Sequence, residues 1–183
     1  MGGVGSIDAV GVPGGRIEVQ CCNIYIPAMT TSRLQEELKQ TKPFASRENE
    51  AALGLLRTAA VIEHAQQEAL RPFGITGTQY NVLRILRGAG EAGLCGREVG
   101  ERMITRVPDI PRLLERMEEA GLISRERDAG DRRHVIARIT EAGLRVVDEV
   151  TPVLVGVERR FFGQLDEGML KALIAALDEV RAI

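Results

Sequence analysis

The chain has 183 residues, of which 44% are hydrophobic and 27% charged, a size and composition typical of one globular domain with or without a tail. Its net charge of −2 excludes a globally basic nucleic-acid-binding protein, although 21 of its 24 cationic residues are arginine, which suits planar contacts. Three cysteines provide neither a disulfide framework nor zinc spacing, and no apolar run reaches the roughly 20 residues that a membrane span needs. The chain does not open with a charged segment and an apolar stretch, as a secretory signal does. We therefore expect a cytoplasmic protein that does not bind membranes.

The first part of the chain differs in composition from the rest. Six glycines fall within residues 1–15, and this pattern predicts a flexible N-terminal tail over residues 1–45. A change of composition at Met29 suggests that this methionine lies close to the native start.

Helical spacing of apolar residues begins at residue 46. Ser46 can cap a helix that continues to about residue 71, where Pro72 and Gly74 end it. Thr76 and Gln79 have the T-x-x-Q spacing of a capping box and open a second helix.

Two short helices with a tight connection follow. Cys95 stands in the N-cap position of the first, and the second is predicted to begin at Pro108 and to end at Gly121. The linker is only residues 104–107, which is typical of a helix-turn-helix.

Beyond residue 122 the apolar period changes from helical to alternating. Residues 123–139 are therefore predicted to form a two-stranded hairpin with a charged tip, and Thr140 and Asp166 are predicted to cap two further helices. A short helix can enter the major groove of DNA, and an arginine at a hairpin tip can reach the minor groove. The pattern predicts a mainly α fold with a small β-hairpin wing. We assign the winged helix-turn-helix to about 75–139, within one domain over 46–183.

Two stretches of sequence carry a specific resemblance, ITGTQYNVLRIL and RVPDIPRLLERMEEAGLISRERDAGDRRHVIARITEAG. With the order of elements over residues 46–182, they resemble the MarR family of bacterial transcriptional regulators. The resemblance implies a homodimer that binds a pseudo-palindromic operator in double-stranded DNA. It also implies a repressor of nearby genes that a small-molecule effector releases.

The resemblance places DNA contacts in the wing. It implies that Arg133 is the minor-groove arginine, that Asp131 orients it, and that Arg132 is a second wing contact. The alternative for Asp131 and Arg133 is a surface ion pair that holds the turn, with an effect of at most about 1 kcal/mol.

The predicted recognition helix carries the other candidate contacts. Arg112 lies on the face away from the apolar residues, with Asp109 and Arg116 as its neighbours, and Arg106 precedes the helix and suits a phosphate contact. Pro111 stands where many family members have Thr or Ser, so we expect operator contacts that differ from theirs.

Helices at about 46–71 and 140–182 are implied to form the dimer interface. A lone subunit is not expected to cover their apolar side chains easily; these are Leu154, Val157, Phe161, Leu173 and Leu177. The alternative is that these side chains pack within one chain, and we expect some of them to do so.

Sensing has two candidate sites. Many family members bind small aromatic acids or other anions between the dimer helices and the winged helix, and the residues here on the lining helices are Arg57, His64, Gln79 and Tyr80. The alternative for His64 is a surface residue or a satisfied core residue. A helix N-terminus can activate a thiol, so a redox role for Cys95 is an alternative to its use as a helix cap.

Three classes of function remain to be compared. The leading hypothesis is a sequence-specific DNA-binding regulator, and the alternative is a winged helix that binds a protein instead of DNA. An enzyme is not expected, because the only two histidines, His64 and His134, are far apart and no catalytic or metal-ligand cluster has a suitable spacing. We expect no cofactor and no metal ion.

Overall fold

The computed structural model describes residues 32–127 and 135–182, and its contacts divide the chain into two compact units with a boundary between Phe44 and Ala45. In the first unit, the described residues form one short helix, α1 (Arg33–Glu37). Ser32 caps it by accepting a hydrogen bond from the Gln35 N–H at 3.3 Å. The prediction of a tail over 1–45 made no provision for this helix.

The second unit is mainly helical with a small antiparallel sheet, as predicted. Turns of 3₁₀ helix follow its first two helices, at Arg71–Phe73 and Gly90–Ala92. Its elements are α2 (Arg47–Leu70), α3 (Gly77–Ala89), β1 (Leu94–Cys95), α4 (Gly96–Arg102), α5 (Ile110–Glu119), β2 (Ile123–Arg127), β3 (Val135–Ile139), α6 (Glu141–Phe162) and α7 (Glu167–Arg181). Within the two described ranges, no helix is both long and apolar enough to cross a bilayer.

Side-chain caps start the long helices where the sequence predicts them. Ser46, Thr76, Thr140 and Asp166 each accept a hydrogen bond from the backbone N–H three residues later, at 2.8–3.2 Å. Such a cap satisfies one of the N–H groups that a helix leaves unpaired at its start. A hydrogen bond with Ser46 also lowers the pKa of the exposed Glu48 carboxyl.

The prediction of a two-stranded hairpin is incomplete, because the sheet has three strands in the order β1-β3-β2. Leu94 pairs with Ala137 and Cys95 with Ile136, so β3 has a partner on both sides. Gly93 allows this approach: its φ is +66°, and a Cβ there would lie 2.5 Å from the Ala137 carbonyl oxygen. The extra strand fixes the start of α4 to the base of the wing.

The core lies between α3, α5, α6 and the sheet. Its fully buried large side chains are Leu70, Leu83, Leu86, Met117, Val82, Val99, Val147 and Val150. The expectation that Leu154 needs a second subunit is wrong, because this side chain is 6% exposed within the single chain.

The start of α6 is packed tightly against the end of α5 and the base of the wing. Thr140 donates its N–H to the Leu122 carbonyl at 3.1 Å and its hydroxyl to the Gly121 carbonyl at 2.7 Å. A Cβ at Gly143 would clash with the Leu122 carbonyl oxygen and with the Ile139 side chain. These contacts hold the end of α5 and the start of α6 in one fixed geometry.

Candidate nucleic-acid interface

Helices α4 and α5 form a closely packed helix-turn-helix. Gly96 and Gly100 of α4 have no side chain, and a Cβ at either position would already be in contact with Ile110 at 3.4–3.7 Å. The turn between the helices is fixed from α3, because the Ile104 N–H donates to Asn81 Oδ1 at 3.0 Å. Sequence reasoning missed Asn81, whose partner is 23 residues away and carries no local signal.

Helix α5 begins two residues later than predicted. Its N-cap is Asp109, whose Oδ1 accepts a hydrogen bond from the Arg112 N–H at 2.9 Å. A carboxylate side chain can accept this hydrogen bond, whereas the proline side chain has no acceptor. The cap at Asp109 therefore sets the first residue of α5. Pro111 falls in the first turn, where its missing N–H costs nothing.

The two faces of α5 differ sharply. The inner face buries Ile110, Leu113, Leu114 and Met117. The remaining side chains are exposed: Pro111, Arg112, Glu115, Arg116, Glu118 and Glu119. At 100° per residue, Arg112, Glu115 and Glu119 lie near the centre of the exposed face, opposite the buried stripe.

The arginines of this region fall into two groups. Some support the fold: Arg125 pairs with Glu118 at 3.5 Å, joining β2 to α5, and Arg138 donates to the Glu91 carbonyl at 2.7 Å. On α4, a hydrogen bond from Arg97 to Glu101 raises the pKa of Arg97.

The second group comprises the predicted contact residues Arg106, Arg112 and Arg116. All three are exposed, and none forms an ion pair with a side chain in residues 32–127 or 135–182. Arg106 lies in the turn before α5, and the other two lie on its outer face. This arrangement leaves three guanidinium groups available to donate hydrogen bonds to phosphates or base edges.

The wing contacts cannot be placed in the same way. Strands β2 and β3 form a ladder from Ile123 opposite Ile139 to Arg127 opposite Val135. Asp131, Arg132 and Arg133 come between these strands in the chain, outside the described residues, and their roles stay predictions.

Gln79 and Tyr80, two of the four predicted effector contacts, form hydrogen bonds that hold α3 in place. Gln79 Oε1 accepts from the Thr76 N–H at 2.9 Å, completing the capping box of α3. Tyr80 is buried, with its hydroxyl 3.0 Å from Thr151 Oγ1 of α6. Arg57 and His64 are exposed on α2.

Cys95 occupies the N-cap of α4, as the simpler reading of it predicted. Its N–H donates to Glu98 Oε2 at 2.8 Å, and its backbone pairs with Ile136 in the sheet. The side chain is half-buried. A redox role for this cysteine stays a prediction.

Comparison with known proteins agrees with this geometry. A MarR family model matches residues 73–134, from the end of the 3₁₀ turn after α2 to the segment between β2 and β3. The chain is 31% identical to a MarR transcription factor of Planctomyces limnophilus, covering 74% of this chain and 98% of that one, with a TM-score of 0.58. The chain belongs to the MarR family. It is a transcriptional regulator with a DNA-binding fold, and it is not an enzyme.

Two further solved structures of this family contain bound molecules. The Staphylococcus aureus MepR–DNA complex is 26% identical over 69% of this chain and 93% of MepR, with a TM-score of 0.64. CouR from Rhodococcus jostii, solved with p-coumaroyl-CoA, is 25% identical over 74% of this chain and 94% of CouR, with a TM-score of 0.63.

Proposed function

We propose that this regulator is a homodimeric repressor of nearby genes that binds a pseudo-palindromic operator and is released by a small effector. The observation that carries the proposal is the outer face of α5, where exposed arginines lie opposite a fully buried stripe. Similarity to MepR, which was solved with DNA, supports the same kind of partner here. A bacterial regulator binds chromosomal DNA, which lies in the cytoplasm, so we place the protein there.

The recognition helix and the wing divide the contacts between the two grooves. Arg112 and Arg116 enter the major groove and bind bases or phosphates, and Arg106 binds a phosphate beside it. Asp109 contributes mainly by capping α5, since its carboxylate already accepts from the helix N-terminus.

In the wing, Arg133 enters the minor groove, Asp131 orients it and Arg132 is the second contact. A narrow minor groove attracts arginine through its enhanced negative potential. We keep a single domain over residues 46–183, with the winged helix over about 75–139 and dimer helices at about 46–71 and 140–182.

Apolar side chains on α2 and α7 support the homodimer. The described structure leaves Leu55 and Leu56 of α2, and Leu173 and Ile174 of α7, between 37% and 67% exposed. A second copy would cover such faces and place two recognition helices about one DNA turn apart.

The effector is proposed to be a small aromatic or anionic molecule. Similarity to CouR, solved with an aromatic acyl-CoA, supports this class. Arg57 and His64 are the better candidates for direct contact because both are exposed on α2. Gln79 and Tyr80 would act mainly by holding α3 in place.

Fluorescence anisotropy with DNA from the gene's own upstream region tests the proposal. The wild type is titrated at several salt concentrations beside Arg112→Ala and Arg133→Ala. Each substitution is expected to weaken binding by about 1–3 kcal/mol, and wild-type affinity is expected to fall steeply with salt.

Arg145→Ala is the matched control, because it removes the same charge from an exposed arginine on α6, outside the helix-turn-helix and wing. It should bind nearly as well as the wild type. Binding that is insensitive to salt, or equally weakened by all three substitutions, would contradict the assigned interface.

A further inference from the structure

An acidic side chain, Glu115, lies beside Arg112 on the exposed face of α5. Glu115 is the sixth residue of α5, one turn after Arg112, and both are exposed on the outer face. Among residues 32–127 and 135–182, the Glu115 carboxylate has neither an ion pair nor a hydrogen-bonding partner. By contrast, the neighbouring Glu118 turns towards the wing and pairs with Arg125.

A carboxylate in this position opposes binding to the phosphate backbone. Phosphates repel it, so it lowers the affinity for every DNA sequence unless it meets a hydrogen-bond donor. In the major groove, the donors at the base edges are the amino groups of cytosine and adenine. Adenine also presents its N7 acceptor beside that amino group, which would face the second carboxylate oxygen. Cytosine therefore suits Glu115 better.

We propose that Glu115 determines specificity by accepting a hydrogen bond from the N4 amino group of a cytosine in each operator half-site. This inference rests on the proposed function, because it requires that α5 enters the major groove. Arg112, three residues earlier on the same face, suits a guanine. The pair gives the half-site one cytosine and one guanine contact.

The test is selection of bound sequences from a random double-stranded DNA library with the full-length wild type, Glu115→Gln and Glu119→Gln. Glutamine has the same shape as glutamate, and its amide pairs with the N6 and N7 groups of adenine. Glu115→Gln is therefore expected to exchange a cytosine preference for adenine at one position of each half-site. Preference for cytosine over adenine there should fall by at least about fivefold, the lower end for a base contact.

Glu119→Gln is the control for charge alone. Glu119 is the last residue of α5, on the same exposed side, and recognition helices contact bases mainly through their N-terminal part. This variant should bind all sequences more tightly and keep the wild-type preferences.

Four results would overturn the inference. The base preferences of Glu115→Gln could equal those of the wild type, or both variants could change them equally. A change confined to a guanine position would show that Glu115 acts only by orienting Arg112. A wild type that selects no sequence would overturn the proposed function as well. The wild-type selection therefore distinguishes a failure of the proposed function from a failure of the inference about Glu115 alone.

Discussion

Helix α5 of the winged helix and the flanking helices α2 and α7 differ in whether the single chain covers their apolar side chains. Helix α5 buries four of its ten residues inside the chain, whereas α7 buries none of its fifteen and α2 buries only Leu70. Yet α7 is rich in leucine and isoleucine, with Leu173 37% and Ile174 58% exposed. Helices in proteins gain most of their stability from packing an apolar face, and α5 already packs its apolar face within one chain. Helices α2 and α7 leave apolar side chains uncovered, and these uncovered faces are the physical basis for proposing a dimer.

The largest expected effect is a difference in the free energy of unfolding between substitutions of two methionines. Met117 in α5 is fully buried and Met169 in α7 is 54% exposed. Met117→Ala should lower the free energy of unfolding by about 2–5 kcal/mol, because it leaves a cavity in the core. Met169→Ala should cost less than half as much in a dilute sample. Urea unfolding at two protein concentrations measures both. Equal losses at low concentration would show that α7 is packed within the chain after all.

An arginine on the exposed face of α7 tests what covers that face. Ile174→Arg places a charge in the proposed interface without a partner, so the dimer dissociation constant should rise by about a hundredfold or more. Sedimentation equilibrium should then detect the mass of one chain instead of two. Ile104→Arg is the control, since Ile104 is 80% exposed but lies in the turn before α5. A wild type that sediments as one chain, or an Ile174→Arg variant that still sediments as two, would contradict the dimer.

Signals within a few residues predicted much of the fold. The caps at Ser46, Thr76 and Thr140 depend on a side chain and an N–H three residues apart, so the sequence contains the whole interaction. Strand β1 was missed because two residues are too few for an alternating pattern, and pairing with β3 alone makes it a strand. The predicted start of α5 was wrong because the rule for proline in a first turn was applied to Pro108 instead of Pro111.

In the candidate site, too, the sequence predicts what depends on nearby residues but not what depends on distant ones. Helical spacing correctly predicted that Arg112 and Arg116 face outward, because it needs only the period of the helix. It did not predict which arginines are already paired, since Arg125 meets Glu118 across two elements and Arg138 meets the carbonyl of Glu91, 47 residues away. It also could not assign Leu154 to the inside of the chain, because spacing identifies an apolar face but not its neighbour.

The smallest predicted effect concerns the hydrogen bond between the two regions. Thr151 Oγ1 of α6 donates its single proton to the Val147 carbonyl at 2.6 Å, so Tyr80 must be the donor in the bond between them. Tyr80→Phe removes this bond and keeps the buried ring. The expected loss in the free energy of unfolding is about 0.5–1.5 kcal/mol. It should fall at the low end, because Thr151 is exposed and water can replace the lost donor.

A double-mutant cycle separates this bond from packing changes. Thr151→Val alone should cost at least as much as Tyr80→Phe, and the double variant should cost less than the sum of the two. Unfolding free energies that add within about 0.3 kcal/mol would mean that the two residues act independently. In that case the ion pair between Arg87 and Asp148, at 2.9 Å, would be the remaining polar link from α3 to α6 among the contacts described here. Both of its side chains are largely exposed, so a link of that kind would contribute at most about 1 kcal/mol. The orientation of the winged helix on α6 would then depend on the buried apolar contacts and the tight approach at Gly143.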